Sequence, residues 1–96
     1  VVIPKTFQLG PHRWTVQPMQ GSFEEDGDLC NGICDFQTLT IRVNVAAPPS
    51  LVRHSFLHEV MHAVLWTIGS ELATNEGFVD SVGAMLAQVL DSSDIM

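Results

Sequence analysis

Apolar and polar residues alternate most strictly in TLTIRVNV, where Leu39, Ile41, Val43 and Val45 are separated by Thr40, Arg42 and Asn44. A period of two is that of a strand with one face on a core. Nearer the start, TFQL and HRWTVQ flank Gly10-Pro11, which predicts two short strands about a turn, with Phe7, Leu9, Trp14 and Val16 turned inward. APPS ends the strand region, because proline cannot donate to a ladder and the residue before it avoids helical angles. Beyond it the period lengthens. Leu57, Val60, Met61, Val64 and Ile68 recur at helical spacing and form the predicted core stripe of a helix running from an N-cap at Ser50 to about Ile68, with Gly69 as its stop. The histidines of HEVMH lie off that stripe. A last helix is predicted from about Asn75, a fair N-cap, to Leu90; Gly77 and Gly83 weaken it intrinsically, so packing must hold it. Strands first and a helical hairpin afterwards define an α+β domain, a small antiparallel or mixed sheet followed by two helices. DSSDIM, residues 91–96, is expected to fray.

Ninety-six residues, 46% of them hydrophobic, suffice for one core and one domain over 1–96. No apolar run reaches the roughly 18 residues of a membrane span, and VVIPKTF lacks the pattern of a secretory signal, so a soluble intracellular protein is expected. The chain starts at Val1, not Met, which implies that something has been trimmed. Eleven acids against four bases give a formal charge of −7, which repels phosphate backbones and anionic headgroups and speaks against nucleic-acid or membrane partners. The acids gather in EEDGD, Glu24 to Asp28, most simply a solvated loop. In CNGIC the Asn31-Gly32 dipeptide predicts a tight hairpin turn with Cys30 and Cys34 on either side, as free thiols in a reducing compartment.

The chemistry concentrates in FLHEVMHAV. On a helix, His58 and His62 are four apart and point the same way, so two imidazole nitrogens can serve one ion. Glu59 lies about 100° round the helix from His58, beside such an ion, where a carboxylate can take a proton from the attacking water. This is the H-E-x-x-H arrangement of zinc hydrolases. Burying two imidazoles and a carboxylate without partners would cost several kcal/mol, a large part of the about 5–15 kcal/mol that holds a domain together. A catalytic zinc takes three protein ligands and keeps one position open. The third must come from elsewhere, and Glu76 and Asp80 stand four apart on the last helix. If the two helices run antiparallel about a turn near Leu72, Asp80 lies closest to the level of His62 and is the expected third ligand, with Glu76 nearer the turn as the alternative or as a hydrogen-bond partner of a ligand histidine. His54, one turn before His58, is a candidate substrate or oxyanion contact.

DFQTLTIRVN, a helix bearing HEVMH, and the closing GFVDSVGAMLAQVL together resemble the small zincin-like metallopeptidases of phages and bacteria, related to the ImmA/IrrE metallo-endopeptidases and grouped with the gluzincins. IPKTFQLG at the front is similar to the opening of phage-encoded members. The resemblance implies an endopeptidase holding one zinc ion on His58 and His62, with Glu59 as general base and a protein or peptide substrate in the cytoplasm of a bacterial or phage-infected cell. It further implies that an extended substrate lies along the strand before the active helix, Thr38 to Val45, which makes Thr40, Arg42 and Asn44 candidate substrate contacts. The family usually carries glutamate as third ligand with a small residue three positions later. At that place this chain reads Asp80 followed by Gly83, and a shorter aspartate requires a closer helix, which Gly83 and Ala84 would permit. The alternative puts Glu76 on the metal with Asp80 behind a histidine. A chain this short with an acidic loop also suits a second class, a non-catalytic module of the same fold that docks on or inhibits a host protein.

Overall fold

A computed structural model describes residues 3–93, so Val1, Val2 and residues 94–96 of the expected tail lie outside the described residues. The order is β1 (Thr6–Leu9), β2 (His12–Met19), β3 (Phe23–Glu25), β4 (Asp28–Cys30), β5 (Gly32–Asp35), β6 (Thr40–Asn44), α1 (Pro49–Thr67), a 3-10 turn (Glu71–Thr74) and α2 (Glu76–Asp91). The fold is α+β, with six strands in two sheets ahead of two helices among the described residues. Four strands form a mixed sheet in the order β1-β2-β6-β5. Within it β2 and β6 run parallel, and the outer pairs are antiparallel. β3 and β4 form a separate hairpin.

Alternation in β6 puts Ile41 and Val43 at zero exposure, beside Trp14 and Val16 of β2. Trp14 is the centre of an aromatic cluster, with Phe7 stacked on it and Phe36 and Trp66 edge-on at 6.3 and 6.2 Å. α1 covers β5 and β6 with one side and receives α2 and the 3-10 turn on another. Held on two sides, α1 has no single apolar stripe. Its buried residues are Val52, Glu59, His62, Ala63 and Leu65, whereas Ile68 of the expected stripe is 70% exposed. Of the histidines expected to lie off the core stripe, His58 is half-buried, whereas His62 is buried together with Glu59, because their face borders a cleft as well as the core.

The helix ends also differ in detail from expectation. Pro48, not Ser50, precedes the first turn of α1 and makes no side-chain cap. At the other end the amide of Gly69 donates to the carbonyl of Trp66 and that of Ser70 to Leu65, a Schellman closure with Gly69 at φ 72°. Asn75 caps α2 by accepting from the amide of Phe78.

Two loops exchange roles relative to expectation. The acidic EEDGD is a hairpin whose two turn residues, Asp26 and Gly27, have φ of 52° and 86°, the positive pair that matches strand twist. CNGIC is not a turn. Asn31 carries the chain from β4 straight into β5, and Cys30 and Cys34 belong to different sheets, both as free thiols.

Replacing Gly69 by alanine should destabilise the domain by about 1 kcal/mol, since a side chain is forced into the left-handed region. Urea unfolding checks this as a lower midpoint with an unchanged slope.

Candidate metal centre

Antiparallel packing brings the carboxylates of α2 against the histidines of α1. The Nε2 atoms of His58 and His62 lie 3.0 and 2.9 Å from the two carboxylate oxygens of Glu76. Asp80 is not at that meeting point. Its Oδ1 stands 3.3 Å from Nδ1 of His58, on the opposite side of the ring, and 3.4 Å from Nε2 of His54. Pairing His62 with Glu76 and His58 with Asp80 centres the hairpin on Gly69, one turn of helix short of the expected Leu72. The reason is the Schellman closure: the chain reverses as soon as α1 stops, and the 3-10 turn packs beside α1 instead of forming the apex.

Nδ1 of His62 is 2.6 Å from the carbonyl of Ala73. A carbonyl only accepts, so Nδ1 carries the proton and, in the neutral ring, Nε2 presents its lone pair to Glu76. Two acceptors 2.9 Å apart attract only if a proton or a metal cation lies between them. A cation between them would satisfy both. Among the described residues, His58, Glu59 and His62 form one group able to hold an ion and His54, His58 and Asp80 another; Glu76, whose two oxygens each face a different imidazole, is in neither.

Glu59 is 8% exposed and points at β5, where Gly32 leaves room for it. A Cβ on Gly32 would stand 3.0 Å from Oε2 of Glu59. The glycine of CNGIC thus serves the packing of a carboxylate rather than a turn, which is why the turn reading fails. Burial, followed by the nearby charge of Glu76, pushes the Glu59 carboxyl up to about 8. Burial likewise raises the Cys34 thiol, with Glu59 and Asp35 adding to it, and raises Cys30, aided by Glu25. Neither sulfur is inclined to the thiolate form that binds metal.

Beside these groups lies a cleft of about 530 Å³, walled by β5 and the β3–β4 hairpin on one side and by α1 and the start of α2 on the other. Glu25 and Asp28 come into it from the hairpin, and Ile33 and Phe36 from β5 and the loop beyond. Thr40, Arg42, Asn44 and His54 do not line it. β6 is bonded on both sides, so the expected substrate edge along Thr38 to Val45 is an interior strand, and the edge strand beside the motif is β5. Arg42 donates to Gln17 on β2, and Asn44 donates to Asn31.

Three features of the site had little signal in the sequence: the Ala73 carbonyl, the role of Gly32, and the acidic hairpin at the cleft mouth. Only the last could have been found, from the turn dipeptide Asp26-Gly27. No family model, curated protein or solved structure matches the chain. Among the described residues no helix is long and apolar enough to cross a membrane.

A carboxyl raised on folding stabilises the protein fully below its unfolded value of 4.5 and costs stability as pH rises toward about 8. Metal-free Glu59→Gln should therefore be more stable than the parent at pH 8, on the order of a few kcal/mol, with the difference fading toward pH 4. Urea unfolding in chelator across that range measures it.

Proposed function

We propose that this protein is a zinc-dependent endopeptidase in which Nε2 of His58, Nε2 of His62 and a carboxylate oxygen of Glu76 hold the ion and Glu59 moves the proton. The observation that carries this reading is the convergence of the two Nε2 atoms on Glu76, at 3.0 and 2.9 Å, with the Glu59 carboxylate buried beside them at the wall of a cleft. Two imidazoles and one carboxylate make the mixed nitrogen and oxygen set of a catalytic zinc, with a position left open. Asp80 then acts through His58, orienting the ring from Nδ1, which reverses the hairpin-based assignment of the two acids.

A zinc ion held there supplies Lewis acidity, polarising a peptide carbonyl and making water a better nucleophile near neutral pH. The chain's own residues do the rest. Glu59 takes a proton from the attacking water on a carboxylate oxygen and gives it to the departing amine nitrogen. The Ala73 carbonyl holds the proton of His62 on Nδ1, so that Nε2 stays free to ligate. β5, with one side unpaired, offers main-chain groups to an extended peptide lying in the cleft.

The zinc-loaded protein should cut a denatured polypeptide, and Glu59→Gln should slow cutting by at least about 100-fold while keeping the ion. Zinc-loaded Glu59→Gln that cuts at the wild-type rate would falsify the assigned role. Glu76→Gln should release zinc at concentrations where the parent holds it, whereas Asp80→Asn should weaken binding by about 10–100-fold without abolishing it. Equilibrium dialysis with metal analysis separates these two acids.

One observation favours a second reading, that of a non-catalytic module docking on another protein. The outward face of α2 exposes Phe78, Leu86, Met85 at 69% and Val89 at 53%. A cellular partner that binds Glu59→Gln and wild type alike, and is cut by neither, supports this reading over the peptidase.

A further inference from the structure

HSFLHEVMH contains three histidines, not two, and His54, His58 and His62 stand at successive intervals of four along one face of α1. Glu76 and Asp80 are likewise four apart on α2. The two ladders interleave. Glu76 faces the gap between His58 and His62, and Asp80 faces the gap between His54 and His58, so the first constellation is repeated one helical turn along.

We propose that His54, His58 and Asp80 form a second site, weaker than the first, for a divalent transition-metal cation such as zinc or cobalt. Three observations carry it. Nε2 of His54 is buried with no hydrogen-bond partner, a costly state for an imidazole nitrogen unless something else satisfies it. The two ring nitrogens approach the same oxygen, Oδ1 of Asp80, at 3.4 and 3.3 Å, and the three ligand atoms lie within 4.8 Å of one another. A tetrahedron with arms of about 2.0–2.1 Å has edges of roughly 3.3–3.4 Å, so these separations suit a tetrahedral ion. The site also opens on its own cavity of about 240 Å³, bordered by Asn31, Leu51 and Ser55, which leaves space for water to complete the coordination.

Two imidazoles and one carboxylate select transition metals over magnesium or calcium, which prefer oxygen alone. The site is the weaker of the two for two reasons. His54 is 33% exposed where His62 is 8%, and His58 is shared: its Nε2 faces Glu76 while its Nδ1 faces Asp80. Two cations on one imidazole repel each other, which lowers the affinity for the second ion. The proposal does not need the protein to be a peptidase, since it concerns occupancy alone.

Calorimetric titration of the metal-free protein with zinc, and elemental analysis after gel filtration, test it. Wild type should bind two equivalents, the second at least tenfold more weakly, with excess magnesium not competing. His54→Gln, a change of a part-exposed side chain, should keep the tight ion and lose the weak one. His62→Gln combined with Glu76→Gln should keep one ion, which adding His54→Gln removes; circular dichroism checks that each variant is folded. Saturation of wild type at one ion that survives His54→Gln overturns the proposal, as does retention of both ions in His54→Gln. A single ion lost with His54→Gln but kept in His62→Gln upholds the second site while removing the peptidase reading.

Discussion

The approach of α2 to α1 at Gly83 is the contact on which the candidate centre depends. A Cβ at Gly83 would stand 3.2 Å from the Cα of His58, closer than ordinary van der Waals contact, so glycine lets the two backbones come this near without a shift. At that separation short aspartate and longer glutamate can both reach across to imidazoles. Farther along, Arg53 and Asp91 form an ion pair that ties the C-terminal end of α2 to the first turns of α1. The helices are thereby fixed at two levels, at His58 and at Arg53.

Against the sheet, a second glycine does a related task. Gly32 removes the side chain that would meet Glu59, and the carboxylate fills the space. The result is an acid held in an apolar wall beside another acid, an arrangement that raises its proton affinity and opposes folding at neutral pH unless a cation is near. A domain of this size has few residues to offset such a cost. The offset comes from the core that α1 covers, where Trp14, Phe7, Phe36 and Trp66 pack with Ile41, Val43 and Ala63. Polar machinery and aromatic core thus divide one helix between them. The apolar periodicity of α1 reads poorly because both demands fall on the same faces.

Much of the framework was legible from the chain alone. TFQL, HRWTVQ and TIRVN are strands because their alternation matches a half-buried pleat, and Gly69 and Asn75 close and open helices by their backbone and side-chain chemistry. The errors cluster where local signals carry two meanings. Asn31-Gly32 has the composition of a turn, yet its glycine answers to Glu59, a contact 27 positions away. Ser50 has the composition of a cap, yet Pro48 and Pro49 start the helix before it. Leu39, which continues the alternation of β6, sits at φ 53° outside the strand.

For the site, the sequence by itself determined which groups share a helical face: His58 with His62 and His54, Glu76 with Asp80, and Glu59 set to one side. Helical geometry requires this of any residues at those intervals. Which carboxylate meets which pair of nitrogens was decided only by the tertiary structure, because it depends on where the hairpin reverses. That point is set by the closure at Gly69 and the packing of the 3-10 turn, neither of which the spacing of polar residues records. The pairing of strands was decided in the same way: β6 is an interior strand and β5 an edge because β2 returns parallel beside β6, a long-range choice that alternation within a single strand cannot express.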